Sequence, residues 1–153
     1  MSAINVLVVT DGIFNFAPTD LSDDTFTITA FLNTLRNSTN PVINVTTAHR
    51  DTNPTADFQH FNFATSVPDL SAYDVLCLIG YDGSNFMGHG TLAFISDDEL
   101  QVLSDFMEKG GGILATGDHD GLGSLMCGKI PRVRSMRKWF SPSDDDPSIP
   151  AAA

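Results

Sequence analysis

Two features of the chain predict an α/β fold, a three-layer sandwich around a mostly parallel sheet. Four apolar runs, Ile4 to Val9, Val42 to Val45, Val75 to Ile79 and Ile113 to Ala115, are continuous rather than alternating. Such runs suit parallel strands covered on both faces. Stretches with helical spacing separate the first run from the second and the third from the fourth. Right-handed crossovers then give a doubly wound sheet of Rossmann-like or flavodoxin-like type, with expected strand order 2-1-3-4.

After the first strand, Ile28, Phe31, Leu32 and Leu35 recur at helical spacing, with Ser22, Asp23 and Asp24 available to cap the start. Residues 51–71 are less regular. Pro54 and Pro68 interrupt them, while Phe58, Phe61 and Phe63 need burial, so a packed loop or a short extra strand is expected. In the second helical stretch Ser96 and Glu99 form a capping-box pattern. Leu100, Leu103, Phe106 and Met107 supply its apolar stripe, and Gly110 a left-handed stop. Residues 1–140 read as one domain. Residues 141–153, with Pro142, Pro147, Pro150 and a run of aspartates, read as a linker or disordered tail.

At 153 residues the chain is long enough to bury a core, and its formal net charge is −11. Aspartate carries most of the acid, Glu99 and Glu108 being the only glutamates, so much of the charge should lie in turns and loops. An acidic balance repels phosphate backbones and anionic lipid, which argues against general nucleic-acid or membrane-surface binding. No apolar run reaches spanning length and the first residues enter a strand directly, so a cytoplasmic location is expected. Cys77 and Cys127 make no disulfide framework and read as buried reduced thiols.

Each expected strand ends in residues suited to chemistry. Asp11 and Gly12 follow the first, His49, Arg50 and Asp51 the second, Asp82 the third, and Asp118, His119 and Asp120 the fourth. Parallel connectivity brings these ends to one edge, where open α/β sheets bind their ligands. Asp118, His119 and Asp120 are the candidate catalytic residues. Asp11, Gly12, His49, Asp82, Arg132 and Arg134 are candidate ligand contacts. His89, from a glycine-rich loop, joins His119 as a candidate ligand for a divalent metal, mixed imidazole and carboxylate donors being suited to zinc, manganese or iron. Turn chemistry is the competing reading, since Asp118 or Asp120 could cap a following helix and Asp11–Gly12 is a good turn pair. The HRD triplet at 49–51 lacks every other kinase feature and is set aside.

Lys129, Arg132, Arg134, Arg137 and Lys138 cluster near Trp139 and Phe140. They suit an anionic group or an acidic protein surface, against the alternative of pairing with the aspartates that follow.

From about Asp69 to Gly121, the order YDVLCLIG followed by SDDELQVLSDFMEKGGGILAT resembles the class I glutamine-amidotransferase-like superfamily, including its ThuA-like branch. The resemblance implies an α/β sheet with a functional turn after the fourth strand. Amidotransferases carry a cysteine nucleophile in that turn, whereas this chain has Gly117 or His119 there, depending on alignment. Cys127 falls too late, so glutamine hydrolysis is not expected. The ThuA-like pattern has a histidine close after the strand, and His119 stands two residues displaced from it.

Two functions follow as expectations. One is a small-molecule or metal-binding crevice at the strand ends, with metal-assisted hydrolysis as its enzymatic form. The other is a non-catalytic interaction or assembly module that meets a protein partner, or a second copy of the chain, through the basic and aromatic stretch.

Overall fold

The computed structural model describes residues 2–12, 14–18, 26–66, 69–79 and 95–116. Among the described residues, six strands and two α-helices run in the order β1 (Ile4–Thr10), β2 (Phe14–Asn15), β3 (Phe26–Thr27), α1 (Thr29–Arg36), β4 (Ile43–His49), β5 (Val75–Ile79), α2 (Asp97–Glu108) and β6 (Gly112–Thr116). The main sheet has four strands in the order β4-β1-β5-β6, and every pairing in it is parallel. The numbering departs from the expected 2-1-3-4 because β2 and β3, a parallel pair of two-residue strands that the sequence does not reveal, intervene in the chain.

Both faces of the sheet are covered, which is why its strands are apolar on both sides. Val6 and Val8 of β1 and Cys77 and Ile79 of β5 point to one face, where Leu32 of α1 and Phe16 complete a buried cluster. Leu7, Val9, Leu76 and Leu78 point to the other, against Leu103, Phe106 and Met107 of α2. The layers are therefore helix, sheet, helix.

The start of α1 differs from expectation. Ile28 is its N-cap residue and makes no side-chain capping bond, while Ser22, Asp23 and Asp24 lie outside the described residues. Pairing of Phe26 and Thr27 with β2 holds the chain extended up to that point, and the helix cannot begin earlier. The Ile28 amide donates to the Asn15 carbonyl at 3.0 Å. The Thr27 and Thr29 hydroxyls both donate to the Ala17 carbonyl, so side chains anchor this entry to the preceding loop.

The second helix follows its sequence signals closely. Ser96 Oγ accepts from the Glu99 amide at 3.3 Å, and Glu99 Oε2 accepts from the Ser96 amide at 3.1 Å. At the far end Gly110 has φ +96°, its amide donating to the Met107 carbonyl while the Gly111 amide donates to that of Phe106. This paired closure is a Schellman motif, and it turns the chain directly into β6.

Residues 51–66 combine both expected forms. Phe58 bridges β4 in parallel, donating to the Thr47 carbonyl at 3.1 Å and accepting from the His49 amide at 2.8 Å. Asp57 fastens the bridge by accepting from the Thr47 amide and hydroxyl at 2.8 and 2.7 Å. The outer edge of β4, which would otherwise present unpaired backbone groups, is thereby partly occupied. Phe61 and Phe63 are buried edge to face, with ring centroids 5.2 Å apart. Cys77 is a buried free thiol, as expected, and burial raises its pKa to about 11. Cys127 and the tail at 141–153 lie outside the described residues. No helix among the described residues is long and apolar enough to cross a membrane.

Candidate functional site

Parallel pairing sends the carboxyl ends of all four main strands to one edge. Thr10 closes β1 and stands in register with His49, which closes β4. In-register residues of neighbouring parallel strands share a face, so these two side chains lie on the α1 side of the sheet. Both are essentially buried, and neither Thr10 Oγ1 nor His49 Nε2 meets hydrogen-bond geometry with any described residue, although the backbone of Gly12 and Phe14 lies close enough to the His49 ring to raise its pKa. Nearly all buried polar atoms in folded proteins are satisfied, so two adjacent exceptions at a ligand-binding edge are informative.

The other ring nitrogen of His49 is engaged. Asp51, two residues further on, donates its amide to Nδ1 at 2.9 Å. Burial lowers the His49 pKa, opposed by the backbone of Asp51, Gly12 and Phe14 and by the Asp51 charge. A neutral imidazole is therefore the resting form. Asp11 is buried next to Thr10, and its Oδ1 accepts from the Gly12 amide at 2.8 Å. Gly12 takes φ +58°, which lets the turn close over that carboxylate.

A second polar constellation lies on the α2 side of the same edge. Arg50 follows His49 and forms a buried ion pair with Glu99, Nη1 donating to Oε1 and Nη2 reaching Oε2 at 3.5 Å. The Arg50 amide also donates to the Thr10 carbonyl at 3.1 Å. Glu99 accepts in addition from the Phe63 amide at 3.3 Å. Burial acts to raise the Glu99 pKa, but the Arg50 hydrogen bond, the Ser96 backbone, the Arg50 charge and the Phe63 backbone together hold it below the usual range. One carboxylate thus caps α2, pins the loop at Phe63 and neutralises Arg50.

Of the residues expected at the site, Asp11, Gly12 and His49 stand together on this edge. Asp82, His89, Asp118, His119, Asp120, Arg132 and Arg134 lie outside the described residues, although the chain leaves β5 at Ile79 and β6 at Thr116 from the same edge. Among the described residues no group of three or more His, Cys, Asp or Glu side chains could hold a metal ion. Sequence reasoning missed Thr10, whose only signal is a hydroxyl ending an apolar strand. It read Glu99 as a cap alone, since nothing local links it to Arg50, 49 positions away.

At the opposite end of the sheet, a groove of about 520 Å³ runs between the start of β5, the end of α2 and the short 3₁₀ helix Leu70–Ala72. Asp69, Tyr73, Asp105 and Lys109 help to line it. It shares no residue with the carboxyl edge. No protein-family model, curated protein or solved structure matches this chain.

Proposed function

We propose that the carboxyl edge of the sheet is a small-molecule binding crevice. In this reading Asp11, Gly12 and His49 contact the ligand together with Asp82, Arg132 and Arg134. Asp118, His119 and Asp120 carry the chemistry, which takes the form of hydrolysis assisted by a divalent metal on His89 and His119. The observation that carries the proposal is the pair of adjacent buried polar atoms without a hydrogen-bond partner among the described residues, Thr10 Oγ1 and His49 Nε2, on the edge where doubly wound sheets bind ligands. A structural role alone leaves such atoms uncompensated, at a cost of about 1–3 kcal/mol each.

The amidotransferase-like resemblance belongs to the same reading. Its support is the run from the Ser96 capping box through the Gly110 closure into β6, ending where a functional turn would begin.

Thermal unfolding of the full chain against a panel of metabolites and divalent metals tests the proposal. A ligand at a hundredfold excess over its Kd stabilises by about 2.7 kcal/mol. A Tm increase that His119→Ala abolishes is the expected result. Unchanged melting across the panel would contradict the assignment, and a shift that survives His119→Ala would remove His119 from the site.

A further inference from the structure

We infer that His49 serves this edge as an uncharged hydrogen-bond donor through Nε2, so that the ligand meets it with an acceptor oxygen and no metal binds there. The inference rests on the binding reading above and specifies the chemistry of one contact in it. An imidazole nitrogen that accepts a hydrogen bond must offer a lone pair. Nδ1 does so, because the Asp51 amide donates to it at 2.9 Å. A neutral ring has one proton to place, and it therefore resides on Nε2.

Burial supports the uncharged state, since it penalises imidazolium more than neutral imidazole. The backbone of Asp51, Gly12 and Phe14 and the Asp51 charge act the other way, towards the charged ring, and burial outweighs them.

Metal ligation through Nε2 would require the opposite arrangement. The proton would move to Nδ1 and face the Asp51 N–H, donor against donor, with a backbone hydrogen bond lost. Histidines that bind metals ordinarily donate their second nitrogen to a carboxylate or carbonyl, and here that nitrogen accepts. Thr10 Oγ1, on the same face of the neighbouring strand, can both donate and accept. The pair therefore offers one fixed donor and one adaptable hydroxyl, a pattern matched by a carbonyl or hydroxyl oxygen of a neutral group.

Long-range proton–nitrogen NMR on the full chain at neutral pH reads the tautomer directly, the His49 signals being assigned by their loss in His49→Gln. The expected spectrum has a bare Nδ1 and a protonated Nε2, unchanged by added Zn²⁺, with the Nε2 proton resonance moving on titration with acetamide. A proton on Nδ1, a doubly protonated ring, or displacement of the Nε2 proton by Zn²⁺ would overturn the inference. An Nε2 proton that acetamide leaves untouched would overturn the binding reading beneath it, while the tautomer would stand.

Discussion

Arg50 and Glu99 are the residues on which the edge depends most, because each is buried and each neutralises the other. Removing Glu99 takes the buried carboxylate away from Arg50 and the capping acceptor away from α2, so Glu99→Ala should lower unfolding stability by about 3–5 kcal/mol in denaturant titration. Adding Arg50→Met should restore part of that loss, since the buried guanidinium goes with it. A loss from Glu99→Ala below about 1 kcal/mol would mean that the pair is solvated in solution. His49 and Glu99 also set the acid response. The folded chain binds a proton on His49 less readily than the unfolded chain does, so stability is highest above the unfolded value of about 6.5 and falls as pH drops below it towards the lower folded value. Glu99, held below its ordinary value of about 4.5, contributes stability that is present above that pH and lost beneath it. Two acid limbs are expected in a plot of stability against pH, and His49→Gln should flatten the upper one alone. A variant that keeps both limbs would show that another group titrates there.

The elements were legible in the sequence where a single local cause determines them. Continuous apolar runs marked the four main strands, and Ser96, Glu99 and Gly110 marked both ends of α2, because capping and left-handed closure act within a few residues. What was not legible depends on distant partners. The β2–β3 pair is too short to carry a periodicity of its own, and it keeps the chain extended up to Thr27, so that α1 starts at Thr29. Thr10 and His49 become neighbours only through strand register. The glycines after α2 offer a test at this scale, since two adjacent positions require glycine for different reasons. A Cβ on Gly110 meets nothing within 4 Å, so Gly110→Ala pays only for its positive φ, roughly 1–2 kcal/mol. A Cβ on Gly111 would stand 2.3 Å from the buried Phe106 ring, so Gly111→Ala must displace part of the core, at about 1–3 kcal/mol. Phe106→Leu should relieve the second substitution and not the first, read by thermal unfolding of the single and double variants. Equal rescue of both would contradict the separation.

Over the whole molecule, a parallel sheet with helices on both faces divides the surface into two ends of different character. The amino end carries the groove lined by Asp69, Tyr73, Asp105 and Lys109. The carboxyl end carries buried polar side chains held by Asp51, Gly12 and Glu99, and this is the end proposed to bind a ligand. The two ends are separated by the length of the strands, so their backbone amides report independently. Amide chemical-shift mapping, with the panel compounds added to the full chain, tests the claim most directly. Perturbations confined to Thr10–Gly12 and His49–Asp51, with Asp69–Asp74 and Lys109 unmoved, are predicted. Perturbation of the amino-end groove instead, or of neither end by any compound, would contradict it.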